Sequence, residues 1–280
     1  MLKKSDKLLF GTAGTPLSTP RKGNPIDGIK EIHRLKLDCM QLEFAHGVRM
    51  KEDISSALRR LSYELNIPLT SHGPYYINLN AREQDKIDSS IERIIQTAKV
   101  SDSCGAASMT FHSAFYMKDS PFDVFDLVEK SMNVIHERLS RLDIDIELRP
   151  ELTGKNSQFG SLEELLALSK SIPTCKPSLD FAHLYARTGK GNSYEEFISV
   201  LETLEENLGK QALKELHIHL TGISVSSKGD LKQIPIDDSK FNWKDLIRAL
   251  KKKKCAGFVI CSSPKLELDA LKMKNYYLSL

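Results

Sequence analysis

Short apolar, β-branched runs alternate along the whole chain with longer stretches whose apolar residues recur every three or four positions. The short runs are read as strands: "KLLFGTAG" (7–14), "CMQLEFA" (39–45), "PLTSHGP" (68–74), "SMTFHSA" (108–114), "IDIELRPE" (144–151), "KPSLDFAHL" (176–184), "ELHIHLTG" (215–222) and "GFVICSSP" (257–264). Amphipathic stretches such as "KEDISSALRRLSYEL" and "SYEEFISVLETLEENL" lie between them, and the tail "KLELDALKMKNYYLSL" supplies the last helix. Several open on a capping residue with early acidic groups, as in "GSLEELL", where Ser161 precedes Glu163 and Glu164. Eight strand–helix units without a composition break predict an α/β fold, a closed (β/α)8 TIM barrel. A doubly wound open sheet is the alternative, but eight regular units favour closure. No Gly/Ser-rich linker or low-complexity tract interrupts residues 1–280, which read as a single domain.

Composition narrows the setting more than the chemistry. The 280 residues are 40% hydrophobic and 28% charged, enough for one large barrel. A net charge of +3 permits nucleic-acid binding without arguing for it. Five scattered cysteines form no CxxC pair, which speaks against a cysteine–zinc site and suits a reducing cytoplasm. The opening "MLKKSDKLLFGTAG" lacks the features of a signal peptide, and no apolar run approaches the roughly 20 residues that span a bilayer. A cytoplasmic protein without membrane attachment, and a monomer, is the expectation.

The histidines carry the chemistry. His33 and His136 fall inside helical stretches, whereas His46, His72, His112, His183, His217 and His219 fall at or just beyond the C-terminal ends of strands. In a (β/α)8 barrel that end is where active sites are built. Carboxylates join them there: Glu43, Glu147, Glu151, Asp180 and Asp230. His217 and His219, two apart on one strand, share a face. Imidazole and carboxylate without thiolate suit zinc, manganese or iron, and such clusters serve both phosphodiester hydrolysis and sugar isomerisation.

In order and spacing the chain resembles the endonuclease IV family of apurinic/apyrimidinic endonucleases, among the xylose-isomerase-like barrels. "SHGPYYINLN" resembles the family segment with a metal-binding His, here His72, followed by Tyr75 and Asn78. "FHSA" supplies His112, "PELTGKNSQFGSLEELL" places the bridging carboxylate at Glu151 rather than Glu147, and "LDFAHLYARTG" gives Asp180 and His183. "HIHLTG" resembles the seventh-strand ligand; its "HL" order favours His219 and its distance to Asp230 favours His217. Asp230, in "SSKGD", matches the carboxylate of a third metal position. Two positions depart. Gln233 stands where the family has a second His after that Asp, and Cys261–Ser262 stand where strand eight carries a Glu.

The resemblance implies a zinc-dependent phosphodiesterase of DNA repair, holding one to three ions (manganese or iron as substitutes). It would cut the backbone of double-stranded DNA 5′ to abasic sites, with Glu151 and Asp180 as catalytic carboxylates. Tyr75, Asn78 and Arg187, with Arg21 and Lys22, are the expected substrate-binding residues, and the two departures predict reduced activity. A metal-dependent sugar isomerase or epimerase, and a catalytically impaired barrel that binds DNA or a phosphorylated ligand, are the alternatives. The run Lys251–Lys254 ends a helix before strand eight and belongs to the opposite face.

Overall fold

The computed structural model describes residues 6–45, 47–225 and 231–280. Its elements run β1 (Leu8–Ala13), α1 (Pro25–Arg34), β2 (Cys39–Glu43), α2 (Glu52–Leu65), β3 (Leu69–His72), α3 (Gln84–Ser103), β4 (Ala106–Phe111), α4 (Pro121–Arg141), β5 (Glu147–Pro150), α5 (Leu162–Ser171), β6 (Leu179–Asp180), α6 (Phe181–Thr188) and α7 (Tyr194–Leu208). There follow β7 (Leu216–Leu220), β8 (Gly222–Val225), β9 (Leu231–Ile234), α8 (Trp243–Lys252), β10 (Gly257–Cys261) and α9 (Glu267–Ser279). Helix starts obey their caps: Ser161 and Ser193 each form a reciprocal capping box, with Glu164 and Glu196.

The parallel sheet has the order β5-β4-β3-β2-β1-β10-β7-β6. Its two ends meet. Leu148 N–H donates to Thr174 O and Lys176 N–H to Leu148 O, while Ser178 N–H donates to Pro150 O and Leu152 N–H to Ser178 O. These bonds join β5 to the segment leading into β6 and close the ring, giving the expected (β/α)8 barrel. Apolar side chains on the outer strand faces pack under the helices, as where Phe10 of β1 meets Tyr277 of α9 at 5.4 Å, and Phe181 of α6 meets Phe197 of α7 at 5.8 Å.

The lumen is different. Barrel interiors are ordinarily filled by Val, Ile and Leu, but here hydrogen bonds cross it. Ser108 of β4 bonds His217 of β7 at 3.1 Å, and Gln41 of β2 bonds both His217 and His219. The N-terminal end is plugged by charge: Arg149 and Lys176 each lie 2.6 Å from Glu147, and Lys176 also pairs with Glu215. Burial alone would raise the Glu147 carboxyl, but the two cations outweigh it and hold it down to about 2.

Two features differ from the sequence reading. The run 176–184 is not one strand, because the Asp180 carboxylate accepts the His183 N–H at 2.8 Å and starts a helix at Phe181. The antiparallel hairpin β8–β9, after the seventh strand, follows no alternation strong enough to announce it. Among the described residues, no helix is long and apolar enough to cross a membrane.

Candidate metal centre

Strand register brings the polar ends of the strands to one level. Glu43 pairs with His72 across β2–β3, and Asp180 pairs with His219 across β6–β7. Glu151 follows β5 and is bridged to Ser178. Gly160 makes room beside it: its φ is +122°, and a Cβ there would lie 2.6 Å from the Glu151 carbonyl oxygen.

Four imidazoles converge on the Glu151 carboxylate. His72 Nε2 is 3.1 Å and His112 Nε2 3.6 Å from Oε2, while His219 Nδ1 is 3.0 Å and His183 Nδ1 3.9 Å from Oε1. His183 also lies 3.3 Å from Asp180 Oδ2. Two groups, His72–His112–Glu151 and Glu151–Asp180–His183, each keep their ligand atoms within 4.8 Å of one another.

The outer bonds fix which ring nitrogen faces inward. His72 donates Nδ1–H to the Gly73 carbonyl at 2.7 Å, so the neutral ring presents an Nε2 lone pair to Glu151. His219 donates Nε2–H to Gln41 Oε1 at 3.0 Å and presents an Nδ1 lone pair. Lone pairs facing a carboxylate repel unless a cation sits among them. The donor set therefore fits a divalent ion, and in its absence protons serve. Burial pulls the His72 ring down, but the hydrogen bond and charge of Glu151, with Glu43, outweigh it and hold the ring at about 9. His219 is raised for the same reason: Glu151 overcomes burial. Burial would raise Glu151, yet His219 and His72 keep it well below the usual carboxylate range. Asp180 is raised, chiefly by burial. His112 is lowered to about 4 by burial. The hydroxyls of Thr110 and Ser178, two residues before His112 and Asp180, are buried without a hydrogen-bond partner.

A pH effect follows. A histidine whose pKa is raised on folding contributes stability that is complete below its unfolded value near 6.5 and lost as pH rises through about 9. The metal-free protein should therefore lose stability between pH 7 and pH 9.5, on the order of 3 kcal/mol at about 1.4 kcal/mol per unit. Urea denaturation at the two pH values checks this, and a midpoint that rises with pH would contradict it. Zinc uptake, which must displace these protons, should tighten over the same range.

The structure separates His217 from His219. His217 is the second residue of β7 rather than near its C-terminal end, about two residue rises below His219. Its Nδ1 faces Ser108 Oγ and its Nε2 faces Gln41 Oε1, so both nitrogens are engaged away from Glu151. Burial, with the charges of His219 and Arg149, keeps it well below 6.5.

The substrate-side residues fall in different places. Tyr75 is half exposed beside the cluster, its ring 5.1 Å from His72 and 5.8 Å from His112. Asn78 accepts the N–H groups of Asn80 and Phe115, which ties two loops together. Arg187 spends its guanidinium on the Thr153, Lys155 and Gln158 carbonyls and on Tyr116. Arg21 pairs with Asp27. Glu147 lies in the plug at the far end of the barrel. Asp230 and His46 lie outside the described residues. Gln233 Nε2 is 3.4 Å from Ser262 Oγ, so the two departures are neighbours. Sequence reasoning missed Gln41, which accepts from two histidines and donates to Glu43 at 2.8 Å. Its signal was a polar residue two before Glu43 in an otherwise apolar strand.

Comparison with known proteins agrees with this architecture. The family model described as "Xylose isomerase-like TIM barrel" matches residues 29–275. The uncharacterized protein MJ0133 of Methanocaldococcus jannaschii is 41% identical over 271 residues, covering 96% of this chain and 97% of that protein. More distant relatives named probable endonuclease 4 are 21–27% identical. Endonuclease IV from Thermus thermophilus superposes with a TM-score of 0.74 at 19% identity, over 96% of this chain and 99% of that one. D-psicose 3-epimerase from Clostridium cellulolyticum superposes at 0.68 with 11% identity, over 96% and 98%. A matched family model across most of the length and a ring of eight parallel strands lead to one conclusion: the chain belongs to the xylose isomerase-like TIM barrel family.

Proposed function

We propose that the chain is a metal-dependent phosphodiesterase that cuts double-stranded DNA 5′ to abasic sites in base excision repair. The observation that carries this reading is a buried carboxylate, Glu151, faced by four imidazoles at the C-terminal mouth of the barrel. His72, His112 and Glu151 would hold one ion; Asp180 and His219 would share a second with Glu151; His183 and Asp230 are the residues offered to a third. Zinc suits this nitrogen–oxygen set, with manganese or iron as substitutes. When bound, such ions lower the pKa of water and neutralise charge on phosphoryl oxygens. Glu151, held ionised, supplies the fixed negative charge of the site. Asp180, the second buried carboxylate of the cluster, would be held ionised by a bound ion and would help orient the water that the ion activates. Tyr75 offers a half-exposed ring beside the cluster on which a displaced sugar or base can rest. The same reading makes the protein a cytoplasmic, single-domain monomer.

The test is nicking of a duplex with one abasic site by zinc-loaded protein. Cleavage on the 5′ side, leaving a 3′-hydroxyl and abolished by a chelator, is expected; an intact duplex across zinc, manganese and iron would sink the reading. A sugar isomerase or epimerase is the second reading, favoured by the donor set itself, since an ion held by His72, His112 and Glu151 could equally polarise a sugar carbonyl. Turnover of a ketose panel without nicking would select it.

A further inference from the structure

We propose that Glu43, acting through Gln41, is a positioning residue: it sets the ring tautomer in which His219 turns its Nδ1 lone pair toward Glu151. The inference rests on the reading of the cluster as a cation site. It begins with an acceptor that cannot donate. Glu43 is a carboxylate on β2, and Gln41 Nε2 donates to its Oε1 at 2.8 Å. That bond aims the Gln41 amide nitrogen at Glu43 and its carbonyl oxygen at the lumen. Gln41 itself is only 1% exposed, so no water competes for the amide.

Three donors then converge on Gln41 Oε1: His217 Nε2 at 3.1 Å, His219 Nε2 at 3.0 Å and Thr70 Oγ1 at 3.4 Å. A carbonyl oxygen only accepts, so both histidines must carry their proton on Nε2. The consequences for the two rings are opposite. His217 has its remaining lone pair engaged by Ser108 and is closed to any ion. His219 has its remaining lone pair 3.0 Å from the Glu151 carboxylate. One amide therefore silences one histidine and presents the other. Reversing the amide would place N–H groups against both rings. Both would then shift to the Nδ1–H form, and His219 would point a proton, not a lone pair, into the centre.

The experiment compares wild type, Glu43→Gln and Gln41→Leu. Long-range proton–nitrogen NMR of the metal-free proteins reads the His217 tautomer, and competition against a chromophoric chelator reads zinc affinity. Wild type should show His217 as the Nε2–H form. Glu43→Gln, whose new amide can donate as well as accept, should populate the Nδ1–H form of His217 and weaken zinc binding about tenfold. Gln41→Leu should weaken zinc by about 10- to 100-fold. If Gln41→Leu fails to fold, the isosteric Glu43→Gln decides alone. An unchanged His217 tautomer and unchanged zinc affinity in Glu43→Gln would overturn the proposal, as would a wild type that shows His217 as Nδ1–H. Tautomer and zinc effects in a protein that never nicks DNA would uphold it and sink the phosphodiesterase reading instead.

Discussion

Replacing Glu151 with Gln should abolish zinc binding and nicking while leaving the barrel folded. The two side chains have nearly the same shape, so helix content by circular dichroism should not change. The charge is what four imidazoles share. Without it, burial governs His72, whose pKa should fall from about 9 to below its ordinary 6.5. The amide of the new Gln would direct N–H groups at a ring nitrogen that must face a cation. Loss of zinc affinity should exceed the roughly 100-fold that removal of an outer partner costs, and nicking should fall below detection. The stability loss expected between pH 7 and pH 9.5 should vanish in the same variant. Zinc retained at the wild-type level would show that the ion, if any, is held elsewhere.

Joint replacement of Ser262 with Glu and Gln233 with His should raise metal content and nicking together. Ser262 is neutral where the resembled family carries a carboxylate, so the centre has less negative charge to offset a second and third dication. Gln233 offers an amide oxygen, a weak zinc ligand beside imidazole. The two side chains are 3.4 Å apart, so their effects should couple and the double variant should exceed the sum of the singles. Zinc per chain, measured by atomic emission, should rise from about one toward two or three. Nicking should rise about tenfold or more, the scale of one added electrostatic contact to a transition state. A double variant unchanged in both quantities, or a wild type already holding three zinc ions, would show these positions to be misassigned.

The fold was legible because it is written in a repeated signal. Each strand run is short and apolar, each helix has its cap, and eight such units imply a ring. Depth inside the ring was not legible. His217 and His219 share a strand face, and alternation shows that much, but two residue rises of about 3.3 Å each decide which one reaches Glu151. Gln41 escaped notice because its partners lie across the lumen, 176 and 178 positions away in sequence. Arg187 reads as a substrate grip in the sequence because its acceptors are backbone carbonyls, which no side-chain pattern reveals. The end of the sixth strand was overrun because "DFAH" reads equally well as strand or helix until Asp180 is seen capping His183.

The ring closes where it is thinnest. The sixth strand has two residues, and Pro177, just before it, can donate no ladder hydrogen bond. Glu151 stands on one side of that seam, and Asp180 and His183 stand on the other. An ion shared by Glu151 and Asp180 would act as a rivet across the joint, so that loading the centre and locking the barrel become one mechanical event. Removal of the ion would free the seam first, and amide exchange would quicken around residues 176–180 before the outer helices loosened.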